Sequence, residues 1–60
     1  MYRTKGPFTF EIEFVNSGQA ERPLLLPGVK RTGPRAVSFS ATDYIAGFEM
    51  ARAIIALASS

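Results

Sequence analysis

Few side chains in this 60-residue chain could do chemistry, and most of those are simply charged. The sequence has five acidic residues and seven lysines and arginines, but no histidine and no cysteine. Histidine is the commonest general base and metal ligand, and cysteine supplies the thiolate of many nucleophiles and metal sites. Because the usual activated nucleophiles would lack their base, the composition favours a protein that is not an enzyme.

The closest acidic pair is Glu11 and Glu13, two residues apart on a predicted strand. This spacing puts both carboxylates on one face, where they could act as an acid–base pair or bind Mg²⁺ or Ca²⁺ together with Asp43. However, charged residues that alternate with apolar ones are typical of a strand with one solvated face. The spacing matches no metal-binding loop, so we predict no catalytic residue, no metal and no cofactor.

Three cations stand in or beside a predicted loop over residues 27–34: Lys30, Arg31 and Arg35. Gly28 and Gly33 have the separation found in a phosphate-binding loop, but Pro34 and the arginine after it replace the required lysine and hydroxyl residue. The three cations and nearby backbone amides could still bind an anion, either nucleic acid or a phosphorylated small molecule. The ordinary alternative is a basic loop that is merely solvated.

Hydrophobic periodicity predicts the elements that position these residues. Residues 8–15 alternate apolar and polar side chains, which is typical of a half-buried strand. Further strands are predicted over 21–26 and 35–40, whereas residues 1–7 form a leader without periodicity. Ser40 and the acid three residues later match a capping box, which predicts a helix over 41–58. We therefore expect one α+β domain over 1–60, a three-stranded antiparallel meander with a C-terminal helix packed on one face.

The predicted helix is apolar over most of its circumference. One stripe contains Tyr44, Phe48, Ala51, Ile55 and Ala58, and a second contains Gly47, Met50, Ile54 and Leu57. A small sheet can cover only one stripe, and a helix that is apolar all round is buried on more than one side. We therefore predict that the second stripe forms the interface of a homo-oligomer, most simply a dimer. A monomer that covers this stripe with its own loops is the alternative.

Net charge and hydropathy place few further limits on function. The net charge of +2 does not by itself indicate nucleic acid. The longest apolar stretch falls short of the ~20 residues of a membrane span, and no signal peptide is visible, so we expect a soluble cytoplasmic protein without a membrane partner. The order of elements resembles that of small accessory proteins of phages and mobile elements, without a residue-level match.

The leading interpretation is a non-enzymatic, homo-oligomeric binding or regulatory protein that acts on a macromolecular protein partner. An anion binder that uses the three loop cations on nucleic acid or a nucleotide is the alternative. A purely structural assembly subunit is a third class.

Overall fold

The computed structural model describes residues 1–60 and contains four strands and one α-helix. These are β1 (Tyr2–Gly6), β2 (Thr9–Glu13), β3 (Lys30–Gly33), β4 (Ala36–Ser40) and α1 (Tyr44–Ala58). The strands form one antiparallel sheet in the order β1-β2-β4-β3. The predicted α+β class and C-terminal helix are confirmed, but the prediction of three strands is wrong because the sheet has four.

Two of the four strands were not expected, and the first of them is β1, which lies in the segment that we expected to be a leader. It pairs antiparallel with β2, so that Tyr2 lies opposite Ile12 and Thr4 lies opposite Phe10. The Tyr2 ring stacks on the Phe10 ring with centroids 5.9 Å apart. Because β1 is held by its partner strand, its own sequence needs no strong periodicity.

The strand expected over residues 21–26 is absent. Two short 3-10 helices, Ser17–Ala20 and Arg22–Leu25, occupy this region instead. The Asn16 side chain accepts a hydrogen bond from the Gln19 amide, and the Gln19 side chain accepts one from the Asn16 amide, both at 3.2 Å. Pro23 stands near the start of the second 3-10 helix, where a missing backbone donor costs little. These local bonds favour helical turns over a strand.

The expected loop over residues 27–34 is also partly ordered, because β3 lies within it. Gly28 has a φ of 82°, a left-handed conformation that glycine adopts without a Cβ clash, and it precedes β3. β3 then pairs with β4, with Lys30 opposite Ser38. Residues 27–34 therefore form mostly a strand and the turns beside it, and not the loop that we expected.

The helix begins later than expected, and its N-cap is Asp43 rather than Ser40. Ser40 is still paired with Thr9 in the sheet, so it cannot begin the helix. The Asp43 carboxylate accepts a hydrogen bond from the Ala46 amide at 2.7 Å and satisfies a free donor of the first turn. No helix has the length and hydropathy needed to cross a membrane.

The core lies between α1 and one face of the sheet. Its buried apolar residues are Phe10, Ile12, Ala20, Val29, Val37, Phe39, Ala51 and Ile54. Gly47 lets the helix approach the sheet closely, since a Cβ at this position would lie 2.5 Å from the Phe10 ring. The opposite face of the sheet carries most of the charged side chains of β1 and β2.

Candidate functional site

Glu11 forms the most highly connected polar cluster, on the face of the sheet that points away from α1. We expected a solvated side chain, but this residue is only 5% exposed. Arg3 lies opposite on β1 and donates to Glu11 Oε1 from Nη2 at 2.6 Å and from Nε at 2.9 Å. Thr32 donates its hydroxyl to Oε2 at 2.8 Å, and Lys5 Nζ lies 3.9 Å from the same oxygen. The cluster therefore ties β1, β2 and β3 together.

These contacts set the protonation state of Glu11. The hydrogen bonds from Arg3 and then from Thr32 lower the pKa of Glu11, against the opposing effect of desolvation. The side chain is thus an anion at neutral pH, and both of its oxygens already accept hydrogen bonds. We conclude that Glu11 holds strands together and is not free to act as a general base.

Glu13 does not act together with Glu11. Its carboxylate lies 3.3 Å from Nε of Arg35, in the turn between β3 and β4. No group of three or more histidine, cysteine, aspartate or glutamate side chains lies close enough together to hold a metal ion. The residues of this chain therefore do not fit a metal centre of their own.

The three cations of the expected anion site do not converge. Lys30 and Arg31 are consecutive on β3 and so point to opposite faces of the sheet. Arg31 donates to Glu21 Oε2 at 2.8 Å and to the Pro34 carbonyl at 3.0 Å. With Arg35 held by an acidic side chain as well, only Lys30 lacks an ion pair. The arrangement offers no cluster of free cations to an anion.

The helix stripe that we expected to be an interface lies on the core side. Gly47 and Ile54 are buried, and Met50 and Leu57 are partly buried. Gly47 belongs there because only a residue without a side chain fits over the Phe10 ring. Gly47, Met50 and Ile54 therefore pack against the core of the same chain, and the surface that remains exposed is a different one.

The exposed stripe, as we define it, consists of five large apolar side chains that face solvent. They are Phe8 (40% exposed), Tyr44 (58%), Ile45 (74%), Phe48 (54%) and Ile55 (44%). Phe8 packs edge-on against Tyr44 with ring centroids 5.3 Å apart, which joins the β1–β2 turn to the helix. The helical spacing of Tyr44, Phe48 and Ile55 is visible in the sequence, but we expected the sheet to cover their stripe.

Phe8 is held in an unusual backbone conformation. Its φ is 59°, the only positive φ of a residue other than glycine. For a bulky aromatic residue this conformation is strained, and such strain is concentrated at functional sites. The Ala41 amide donates to the Phe8 carbonyl at 3.0 Å and so anchors the turn. The fold thus holds an exposed aromatic ring beside the helix, although the backbone of Phe8 has a φ that phenylalanine disfavours.

A small open cleft lies at the opposite end of the helix. It has a volume of about 220 Å³ and lies between the start of β1, the end of β2 and the last turns of α1. Tyr2, Ile12, Phe14 and Ile55 make most of its wall apolar, and Glu13 and Gln19 add polar groups. A single side chain of a ligand is about the size that such a space accommodates.

Comparison with known families decides the class of protein. A peptidase family model described as D-aminopeptidase matches residues 1–53, which include all four strands and two thirds of α1. The chain belongs to the D-aminopeptidase family. The match corresponds to only a fragment of that family. Neither the curated proteins nor the solved structures contain a match to this chain.

Family membership corrects the predicted function. The interpretation as a non-enzymatic binding or regulatory protein is wrong, and so is the anion-binder alternative, because the matched family is one of peptidases. The error came from treating the absence of histidine and cysteine as evidence against enzymatic activity. A family fragment can carry the fold of its family without carrying the residues that act on the substrate.

Proposed function

We propose that this chain works as part of a D-aminopeptidase, an enzyme that hydrolyses the peptide bond after an N-terminal residue of D configuration. The observation that supports the proposal is the family match over residues 1–53. Because the match includes the whole sheet, it relates the folded unit to the family and not merely a short motif.

Within such an enzyme, the chain contributes a rigid unit whose main polar side chains bond to one another. Glu11 is already bonded to Arg3 and Thr32, and the carboxylates of Glu13 and Glu21 are bonded to arginines. Hydrolysis requires groups that hold the substrate ammonium, activate water and stabilise the charge of the tetrahedral intermediate. We propose that this chain supports those groups through its packing surfaces, together with the rest of the enzyme.

The proposal is tested by comparing source cells that produce the chain with cells in which it is deleted. A tagged chain is returned to the deletion strain, and the assembly that contains it is purified under native conditions. Matched preparations are assayed with D-Ala-Gly-Gly and with L-Ala-Gly-Gly, and release of free alanine is measured. We expect activity on the D peptide that depends on the chain. Equal activity with and without the chain would overturn the proposal.

A further inference from the structure

We infer that the exposed stripe binds a second copy of this chain, through an antiparallel pair of α1 helices related by a two-fold axis. This contact goes beyond the proposed function, since two copies would associate by it whether or not the chain serves a peptidase. It also differs from the interface expected from the sequence, whose residues lie on the core side of α1. Three features of the exposed stripe favour a second copy over an unrelated partner.

The first feature is the order of residues along the helix. Ile45, Phe48, Arg52 and Ile55 follow a 3-4-3 spacing and share one exposed face. Ile45 and Ile55 lie at equal distances from Met50 along the chain, and so do Phe48 and Arg52, so the spacing is the same in both directions. A two-fold axis that crosses this exposed face at the level of Met50 therefore places Ile45 of one copy opposite Ile55 of the other. Two-fold interfaces require this kind of self-complementary surface.

The second feature is charge complementarity. The same axis places Arg52 of each copy beside Phe48 and Glu49 of the other. Both charged side chains are exposed and make no ion pair within their own chain. The guanidinium could lie over the aromatic ring and pair with the carboxylate at the same time. An unrelated partner would have to supply a matching acid and base of its own.

The third feature is the area of the stripe, extended by the strained residue Phe8. An aromatic side chain buries about 150–250 Å², so five partly exposed side chains offer on the order of 500 Å² of apolar surface per copy. Apolar patches of this size mark interaction sites on small proteins. Two such surfaces with a polar rim approach the roughly 1,200 Å² at which specific interfaces begin. The turn at Phe8 places one of these rings against Tyr44.

The test is sedimentation equilibrium of the full chain at about 100 µM, a concentration that populates a dimer of micromolar Kd. We expect a mass twice the 6.5 kDa of one chain. The variant Phe48→Glu puts a charge at the centre of the contact, and its Kd should rise roughly tenfold or more. The matched control is Leu25→Glu, at a residue that is 82% exposed and lies outside the stripe, and it should remain dimeric. Circular dichroism checks that both variants are folded.

A pair of charge-reversal variants distinguishes this geometry from other modes of association. Glu49→Arg and Arg52→Glu should each weaken the homodimer, because like charges then face each other at both ends of the contact. An equimolar mixture of the two should form a heterodimer of near wild-type affinity, since every facing pair is again opposite in sign. A monomeric wild type, an equal loss in the Leu25→Glu control, or no recovery in the mixture would each overturn the inference.

Discussion

Gly47 is the residue at which α1 comes closest to the sheet. A Cβ there would lie 2.5 Å from Cε2 and Cζ of Phe10, whose ring is almost fully buried and stacked between Tyr2 and Phe39. Stacking on both of these rings restricts how far the Phe10 ring can move away from the helix. Close packing at this one position therefore orients the helix and leaves Phe48 on the outside.

We expect Gly47→Ala to destabilise the chain despite the higher helix propensity of alanine. Overpacking a core costs about 1–3 kcal/mol, which exceeds the gain of roughly 1 kcal/mol from propensity. Thermal unfolding followed by circular dichroism measures the difference. Gly33→Ala is the matched control, because its Cβ would lie at an ordinary 3.6 Å from the Ala36 side chain. A Gly47→Ala variant more stable than the wild type would contradict the packing described.

Glu11 makes the free energy of unfolding depend on pH in the acidic range. Its pKa in the folded chain is below the ordinary value of 4.5, chiefly because of the hydrogen bond from Arg3. The unfolded chain therefore binds a proton more readily than the folded chain does. The stabilisation is fully present above about pH 4.5 and is lost as the pH falls through the lowered pKa.

We expect the Glu11→Gln variant to lose less stability between pH 7 and pH 3 than the wild type does. Urea midpoints at the two pH values measure this loss. Glu21→Gln serves as the control, because its ion pair with Arg31 is exposed to solvent and lies outside the exposed stripe, and it should lose nearly as much stability as the wild type. If Glu11→Gln shows the same acid loss as the wild type, the cluster does not stabilise the fold through its charge.

At the scale of the elements, the start of α1 is determined by Asp43. Its side chain caps the Ala46 amide, whereas Ser40 belongs to the sheet. We expect Asp43→Ala to lower the free energy of unfolding by about 1 kcal/mol through loss of the cap. Ser40→Ala should change it by less than about 0.5 kcal/mol, as is usual for an exposed position without such a role. The reverse order in chemical denaturation would restore Ser40 as the N-cap.

Sequence periodicity predicted the elements whose own residues carry the pattern. The core of β2 and most of α1 fall where alternation and helical spacing indicated them. β1 and β3 could not be predicted in this way because their own residues do not alternate between apolar and polar, and pairing with the neighbouring strands β2 and β4 holds them in the sheet. The 3-10 helices did have a local signal, the reciprocal cap between Asn16 and Gln19, which was read only as a turn.

The orientation of α1 was beyond the reach of pattern alone. Both stripes of the helix are apolar, so hydrophobicity does not say which of them faces the sheet. The deciding feature is steric, since Gly47 fits over the Phe10 ring and a bulky residue does not. Burial of Glu11 also could not be predicted, because it depends on pairing between β1 and β2. The exposed stripe thus became visible only in three dimensions.

For the whole molecule, fold and family give complementary information. The sheet and helix form a small unit with internal ion pairs on one side and an exposed apolar stripe on the other. The family match assigns this unit to the D-aminopeptidase family, although no group of three or more histidine, cysteine, aspartate or glutamate side chains lies close enough together in it to hold a metal ion. Under the proposed function, the rest of the enzyme completes the catalytic site, because a fold alone does not determine activity.

The proposal that this chain works as part of a D-aminopeptidase is tested most directly by the stereochemistry of the released alanine. The assembly purified with the tagged chain is given an equimolar mixture of D-Ala-Gly-Gly and L-Ala-Gly-Gly, and the released alanine is resolved by chiral chromatography. We predict that free D-alanine accumulates well ahead of L-alanine, and that this excess disappears in the matched preparation from the deletion strain. Release of both enantiomers at equal rates, or an excess that persists without the chain, would contradict the proposal.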